Sequence, residues 1–417
     1  MAQLHKKFTD AQVKELFDRY SKGEIPRRYI QEVLGIKVRR FFALLGQYRE
    51  NPDRFSIQYR RRQPPRIAKQ TEKALLKELA IEKNIIEDKD NPVRRYNYSY
   101  IRDILADKHK QPVSLSTIID RAKKHGFYLK RSKQAAHDRE VLTHYAGELI
   151  QHDASLHLWA PAAGEKWSLI TSLDDHSRFI LYAELVRRES SWAHIQALQS
   201  VFLKYGFPFS YYVDSHSIFR FVRGRDEMRY RHHLQTDEVD PQWKQVLDDC
   251  GVKVIYALSP QAKGKIERPY QWIQDRLVRT CVRDNTTDIR RARIFLRQEL
   301  ERYNFRQVHS ATLEVPYFRL QKALQEKRSL FRQFQIKPPL QSLKDMFCLR
   351  TERIVDAYRR VSINAKQFQV NKANPGDHIT IRFYPMTGGL TELRFWRNDQ
   401  LLDLQRLKTR DLAGMHF

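Results

Sequence analysis

Residues 149–159, LIQHDASLHLW, are the stretch that decides the fold of this chain. Polar and apolar residues alternate along it, and two similar runs follow, WSLITSLD at 167–174 and RFILYAELVR at 178–187. An alternation with period two is typical of a β-strand with two different faces. Turn-forming residues at 161–164 and 175–177 separate the runs. The sequence therefore predicts a meander of three strands.

Helices and strands are expected to alternate after this meander. The pattern predicts helices and strands in turn, at 191–205, 210–214, 243–250, 252–258 and 261–281. Two more helices are expected at about 287–305 and 317–333, the second within a helical linker at 316–344. This order predicts an α/β fold, with a mixed sheet covered by helices, for a core at 145–315. Residues 216–240, rich in Arg, His and Asp, interrupt the pattern and are expected to form an insertion.

The first 53 residues are expected to fold as short helices. Gly35 separates a short helix from a basic one that carries Arg39 and Arg40. A helix, a turn with glycine and a basic helix form the outline of a helix-turn-helix. An ordinary three-helix bundle would have the same pattern, so both interpretations stand for residues 1–53.

A basic linker and a second helical segment are expected next. Residues 54–69 are basic, contain prolines and lack periodicity, so they predict a linker. Its arginines suit a DNA minor groove or plain solvent equally, at positions Arg60, Arg61, Arg62 and Arg66. Residues 70–128 predict a second helix-turn-helix, in which Ser114 caps a helix that runs to about residue 125. The outward residues of that helix are candidate DNA contacts: Ser116, Thr117, Arg121 and Lys124.

The last part of the chain alternates again. Four short apolar runs, at 366–370, 378–384, 390–396 and 401–407, are separated by breaks that contain Gly, Asn, Pro or Asp. Such spacing predicts a small all-β module, and we expect a C-terminal β-barrel over residues 345–417.

Charge is distributed unevenly along the 417 residues, whose net charge is +27. Residues 1–150 hold 33 basic and 19 acidic side chains, residues 151–250 hold 11 and 14, and residues 251–417 hold 32 and 16. Basic flanks attract a polyanion, whereas an acidic middle repels it unless cations lie there. This distribution favours a metal-dependent enzyme that acts on nucleic acid over a generally basic protein.

The three cysteines are far apart, at Cys250, Cys281 and Cys348, and form no CxxC pair. Neither a disulfide framework nor a zinc site is expected from them. We expect no secretory leader and no membrane partner, because the N-terminus is charged and no apolar run is long enough to cross a bilayer. The expected location is the cytoplasm, with the nucleoid.

Three acids occupy places where a carboxylate has a chemical use. Asp153 lies in the middle of the first strand, Asp214 ends the fourth, and Glu267 lies beside the apolar stripe of the long helix. Three carboxylates that converge from two strands and a helix supply the hard oxygen ligands that Mg²⁺ or Mn²⁺ prefers. Asp174 and Asp175 are rival acids, which we interpret as turn residues, and no histidine is expected to bind the metal.

The chain resembles bacterial insertion-sequence transposases with a retroviral-integrase-type core. The resemblance rests on Gln151-His152-Asp153, on 167–177, on Gly206-Phe207-Pro208 leading to Asp214, on 259–268, and on Tyr303-Asn304 with Arg306 and His309. It covers about residues 145–315. The resemblance implies a ribonuclease H-like core, a catalytic and metal-binding triad of Asp153, Asp214 and Glu267, and two Mg²⁺ ions that Mn²⁺ can replace. The spacing of 53 residues between Asp214 and Glu267 is longer than is usual in that family, and segment 216–240 accounts for the excess.

The expected activity is cleavage at the ends of a mobile element and joining of the freed 3′-OH to target DNA. The expected partners are double-stranded DNA, in terminal repeats and target, and at least one more copy of the chain. Lys263, Lys265 and Arg268 surround Glu267 and are expected to hold phosphate. No nucleotide cofactor is expected, because the sequence contains no phosphate-binding GxxxxGK[ST] loop. A structure-specific nuclease and a non-catalytic DNA-binding regulator remain as alternatives.

Overall fold

The computed structural model describes residues 4, 7–58, 67–129, 143–213, 241–257, 264–363 and 366–412. They form two compact units, Met1–Glu72 and Lys73–Phe417. Several predicted features lie outside the described residues: the linker arginines Arg60, Arg61, Arg62 and Arg66, the insertion 216–240, and Asp214.

The first unit contains three helices, α1 (Asp10–Ser21), α2 (Arg27–Leu34) and α3 (Val38–Glu50). Thr9 begins α1 with a capping box shared with Gln12. Gly35, in the left-handed conformation, ends α2 and lets the chain turn into α3. The apolar faces close over a core that includes Phe17, Phe41 and Leu45. The three helices predicted for this segment are therefore present.

A second set of helices begins the larger unit: α4 (Lys69–Glu87), α5 (Tyr98–Asp107) and α6 (Leu115–Lys124). Ser114 caps α6 as predicted, because its hydroxyl accepts from the backbone N–H of Thr117 at 3.2 Å. Ile118 and Ala122 of α6 are fully buried, whereas Leu115 at its first position is exposed. α4, which the alternation of residues did not reveal, supplies the surface that α5 and α6 cover.

Five strands form the central sheet: β1 (Ile150–His157), β2 (Trp167–Asp174), β3 (Ile180–Val186), β4 (Ser210–Val213) and β5 (Lys253–Tyr256). Their order is β3-β2-β1-β4-β5. β2 is antiparallel to both β1 and β3, whereas β4 runs parallel to β1, and β5 parallel to β4. The predicted mixed sheet is confirmed, and it fits a ribonuclease H-like core.

Helices cover both faces of this sheet. They are α7 (Ser191–Tyr205), α8 (Gln242–Asp249), α9 (Gly264–Arg283) and α10 (Ile289–Phe305). Leu198 of α7 and Trp243 of α8 pack with Tyr211 in one cluster. Ile273 of α9 packs with Trp167 in another. Each strand can therefore bury side chains on two sides, as the apolar content of β2 requires.

The predicted helix at 317–333 is shorter than expected. α11 spans Pro316–Gln325, and the chain then runs along the core without helical bonds. Phe207 and Arg332 exchange two backbone hydrogen bonds of 2.8 Å, which a helix through residue 333 would forbid. Gly206 makes this approach possible, because a Cβ there would lie 2.2 Å from the carbonyl oxygen of Arg332.

The C-terminal segment is rich in strands, as predicted. After the short helix α12 (Leu343–Met346), the strands are β6 (Leu349–Ile354), β7 (Arg360–Ile363), β8 (Lys366–Gln369), β9 (His378–Met386), β10 (Leu390–Arg397) and β11 (Gln400–Lys408). They pair as an antiparallel sheet of order β11-β10-β9-β6 and as a separate β7–β8 hairpin. Within the described residues this pairing leaves the sheet open, so it does not establish the predicted barrel.

The part of the chain that the structure describes contains no helix long and apolar enough to cross a membrane.

The three thiols are expected to resist alkylation in the folded protein. All are buried, and burial raises the pKa of Cys250 and of Cys281 to about 12. The reactive thiolate is therefore a minor species at pH 8, on the order of one part in 10⁴. Labelling with a thiol reagent should be slow in buffer and should reach all three cysteines in concentrated guanidinium chloride. Rapid labelling of the folded chain would contradict the described packing.

Candidate active site

Asp153 lies in the middle of β1, at the centre of the sheet, and is partly buried. β1 pairs with β2 on one side, where Asp153 is opposite Thr171. On its other side β1 runs parallel to β4, and Gln151 pairs with Tyr212. β4 ends at Val213, so Asp214 is the next residue along the chain, and it lies outside the described residues.

α9 lies on β1 beside Asp153. The hydroxyl of Tyr270 donates to the backbone oxygen of Asp153 at 2.7 Å. One turn further along α9, Gln274 forms a hydrogen bond of 2.7 Å with His157 Nε2. These two bonds attach the helix to the strand at two points that are four positions apart in each element.

The apolar stripe predicted for this helix is buried at Tyr270, Ile273, Leu277 and Cys281. Glu267 is the fourth residue of α9, three residues before Tyr270. Its side chain, like those of Lys265 and Arg268, lies outside the description, and Lys263 precedes the described part of the helix. The structure thus places one carboxylate of the predicted triad and the helix of another, and the triad stays a prediction.

The described residues contain no group of three or more His, Cys, Asp or Glu side chains that could hold an ion. The carboxylates of Asp214 and Glu267, two of the predicted three, lie outside the described side chains. Asp153 itself suits a cation site, because it is a hard oxygen donor whose partial burial leaves it some contact with solvent.

The rival acids Asp174 and Asp175 are occupied by protein donors. Asp174 accepts from the backbone N–H groups of Gly147 at 2.8 Å and Ser177 at 2.9 Å. Asp175 accepts from Gln151 Nε2 at 2.6 Å and from Arg178 Nη1 at 2.9 Å. Both side chains are fully buried and organise the turn that follows β2. Burial raises the pKa of Asp174, and its three hydrogen-bond donors oppose that shift.

The two histidines of β1 have different surroundings. His152 is fully buried and forms hydrogen bonds with Ser172 Oγ at 2.9 Å and His194 Nδ1 at 2.8 Å. His157 is only partly buried, and burial lowers its pKa. The positive charge of Lys166 lowers the pKa of His157 further. His157 is therefore a weak candidate for a phosphate-binding cation at neutral pH.

The predicted DNA contacts are spread over several elements. Arg39 on α3 is exposed, as are Ser116 and Lys124 on α6. Arg40, Thr117 and Arg121 are half-buried. α6 therefore presents polar and basic groups to solvent at its beginning and its end, which is compatible with the predicted use of this helix.

Sequence reasoning missed two contacts of the site. The bond from Gln151 to Asp175 fixes β1 two residues before Asp153, and the bond from Tyr270 fixes it at Asp153. The second had a visible signal, because Tyr270 shares the apolar stripe with Ile273 and is the only member with a polar tip. The first had none, since the partners are 24 residues apart and both are polar.

Two curated proteins are similar to this chain in sequence. A Sinorhizobium fredii protein, y4bF, provisionally named a transposase, is 27% identical over 284 residues, which are 66% of this chain and 56% of that protein. The transposase of insertion sequence IS1202 from Streptococcus pneumoniae is 28% identical over 160 residues, 38% of this chain and 33% of that one. The chain thus spans about half the length, or less, of these curated relatives. No family model matches the chain.

Solved structures similar to the chain include retroviral integrases. The magnesium-bound catalytic core of HTLV-2 integrase is 14% identical, with a TM-score of 0.32 over 42% of this chain and 96% of that one. An integrase assembly of simian T-cell lymphotropic virus is 13% identical, with a TM-score of 0.34 over 70% of this chain and 91% of that one. At these scores the likeness is remote, and nothing about mechanism follows from it. The relatives in sequence confirm that this chain resembles transposases, one of which is the transposase of an insertion sequence.

Proposed function

We propose that this chain is a DNA transposase, which binds the terminal inverted repeats of a mobile element, cleaves its ends and joins them to target DNA. The observation that carries the proposal is the attachment of α9 to β1 at Asp153, through the Tyr270 hydroxyl. It brings the helix that contains Glu267 against the strand that contains Asp153. Gln151 of β1 pairs with Tyr212 of the neighbouring strand β4. In the sequence, Asp153 comes two residues after Gln151, and Asp214 comes two residues after Tyr212.

The carboxylates of Asp153, Asp214 and Glu267 would hold two Mg²⁺ ions, or Mn²⁺ in their place. When bound, such ions polarise the phosphate and stabilise charge on the attacking and leaving oxygens. Lys263, Lys265 and Arg268, which precede or occupy the first turns of α9, would bind the phosphates of the DNA strand and orient it.

The reaction consists of a hydrolysis and then an ester exchange, and water is the only co-reactant. In the first, the oxygen of water bonds to the phosphorus at the element end, and the bond from that phosphorus to the 3′-oxygen breaks. The element keeps a 3′-OH. In the second, that 3′-oxygen bonds to a target phosphorus and the target's own 3′-oxygen leaves. One phosphodiester replaces another, so no nucleotide cofactor is required.

The flanking helices would bind the DNA. We propose that α1–α3 and α4–α6 act as helix-turn-helix modules, with Arg39 and Lys124 among the contacts, and that the C-terminal strands form a small barrel. The active species would be at least a dimer, because two element ends must be paired before joining. The relevant compartment is the cytoplasm, where the nucleoid is accessible.

The activity can be tested with the full chain and labelled duplexes taken from the DNA that brackets its gene. With Mg²⁺, cleavage at a fixed phosphate followed by joined products of higher mass would support the transposase. Cleavage without joining would support a structure-specific nuclease instead, and binding without cleavage would support a regulator.

Binding to these duplexes is expected to weaken steeply with salt. If six to ten phosphates are neutralised, affinity should fall by roughly 10³- to 10⁵-fold between about 50 and 200 mM salt. Arg39→Gln should reduce the slope by about one unit. Lys22→Gln is the matched control, because Lys22 is already paired with Asp18 at 2.8 Å. A salt response that is flat, or equal slopes for both variants, would contradict a role for α3 in phosphate binding.

A further inference from the structure

Three arginines lie along one face of α9, at Arg276, Arg279 and Arg283. Positions i, i+3 and i+7 of a helix share a face. Arg276 and Arg279 are 1% and 0% exposed, and Arg283 is largely buried. A guanidinium so far from water has to be paired with a carboxylate, and each of the three is.

The partners of two of these arginines lie on α4. Arg283 donates to Glu78 Oε2 at 2.6 Å and to Glu82 Oε1 at 2.9 Å. Arg279 also donates to Glu82. Glu78 and Glu82 are 1% and 0% exposed, so the carboxylates are as deeply buried as the arginines that bind them.

The third arginine binds α5. Arg276 Nη2 donates to Asp103 Oδ2 at 2.6 Å. At the edge of this contact, Arg302 of α10 donates to Asp107 of α5 at 2.6 Å. We call Glu78, Glu82, Asp103, Arg276, Arg279 and Arg283 the α9 ion cluster.

The aromatic ring of Tyr100 packs against two arginines of the α9 ion cluster. The ring centre of Tyr100 lies 5.7 Å from the guanidinium carbon of Arg276 and 5.3 Å from that of Arg283. Its hydroxyl forms a hydrogen bond of 2.9 Å with Thr280 Oγ1. Burial raises the pKa of Tyr100 to about 12. Separating α4 and α5 from α9 would leave several buried charges without partners, so the contact holds as a whole or is lost as a whole.

α6 packs on α5, one of the helices in this contact. Ile118 and Ala122 of α6 pack with Ile101 and Leu105 of α5 in one apolar cluster. Towards the other end of α9, the Tyr270 hydroxyl donates to the backbone oxygen of Asp153. Tyr270 precedes Arg276 by six residues, which is about 9 Å along the helix. One helix therefore contacts both the strand with the candidate catalytic acid and the helices that carry the candidate DNA-reading surface.

We propose that the α9 ion cluster sets the number of base pairs between the DNA sequence bound by α6 and the phosphate that is cut. In this role Arg276, Arg279 and Arg283 are positioning residues, which act through α9 and do not touch the reacting atoms. The inference rests on the proposed transposase function. It adds that the cut is measured from the bound sequence and is not chosen by the sequence at the cut.

The test uses the full chain and the duplexes from the DNA that brackets its gene. Base pairs are inserted, about five for half a helical turn and about ten for a full turn, between the protected sequence and the original cut. The unaltered protein should cut at a constant distance from its footprint on every duplex that it cuts. The insertion then moves the cut relative to the original end sequence.

The variant Arg283→Met should keep its footprint, but the distance between the footprint and the cut should no longer be constant. We expect product at the original phosphate to fall by roughly 10- to 100-fold, because a small misplacement has a cost of that size, with new cuts at neighbouring phosphates. Arg283→Lys should restore part of the product at the original phosphate, since lysine retains the positive charge. Arg297→Met is the matched control on an exposed face of α10 and should change nothing.

Two results would overturn the inference while cleavage itself remains. One is a cut that stays with the original end sequence after insertion, and the other is a single unshifted cut by Arg283→Met. If Arg283→Met does not fold, as circular dichroism would show, Arg302→Gln takes its place, because Arg302 is partly exposed and lies 3.4 Å from Asp103 of the α9 ion cluster. Failure of the unaltered protein to cut any duplex would overturn the proposed function itself and the inference with it.

Discussion

Asp153→Asn is expected to abolish cleavage and joining of element ends while leaving DNA binding intact. The change removes a charge and keeps the shape, at a position in the middle of the central strand. A metal-stabilised transition state owes several kcal/mol to its ligands, and about 4 kcal/mol corresponds to roughly 10³-fold in rate. Binding should survive, or strengthen, because one repulsive charge near the phosphates is lost. Product formation with Mg²⁺ and footprinting measure the two effects.

Asp248→Asn is the matched control for this variant. Asp248 is an exposed acid of α8 that pairs with Lys244, and its loss should change the rate by less than about threefold. Asp214→Asn and Glu267→Gln are expected to behave like Asp153→Asn. Activity within about tenfold of the unaltered protein in any one of the three variants would remove that residue from the triad.

The largest effect on stability is expected for Asp345→Ala. Asp345 is fully buried below the C-terminal sheet. It accepts from Arg394 Nε at 2.5 Å, from Trp396 Nε1 at 3.2 Å and from the backbone N–H of Ser342 at 2.9 Å. Removing one partner of a buried ion pair typically costs about 3–5 kcal/mol, since the other charge is left without compensation.

Hydrogen exchange of the amides in β9, β10 and β11 would measure this loss. Protection should fall by roughly 10²- to 10³-fold or more if the sheet opens as a unit. Asp399→Ala, at the exposed turn between β10 and β11, should change protection by less than about threefold. Equal effects of the two substitutions would show that the buried contacts of Asp345 do not hold the sheet together.

The sequence predicted the central strands and most helices well, because these depend on local patterns. β2 and α7 have the bounds that alternation and helical periodicity indicate. Ser114 begins α6 and Gly35 ends α2, as capping chemistry requires. The burial of the α9 stripe also followed from its spacing alone.

The parts that sequence reasoning missed depend on distant partners. The helix expected to reach residue 333 ends at Gln325, because the backbone of Arg332 pairs with that of Phe207, 125 positions earlier. α4 was not recognised, since its polar residues Glu78 and Glu82 occupy the buried face. A polar residue inside the core contradicts simple periodicity, and only its partner on α9 explains it. For the candidate site, the pattern indicated Asp153 and the helix of Glu267 but not the Tyr270 bond that joins them.

The α9 ion cluster also bears on how such proteins diverge and how they can be recombined in the laboratory. Glu82 and Arg279 are separated by 197 positions, yet both are fully buried, so replacing either with a neutral residue takes a charge partner from the other. We expect the two positions to covary among relatives. A chimera that takes residues 73–129 from a relative, to change the DNA sequence that is bound, would need the arginine face of the matching α9 as well. If residues 73–129 alone were exchanged, the acidic side chains of the new segment would face an α9 whose arginines do not match them.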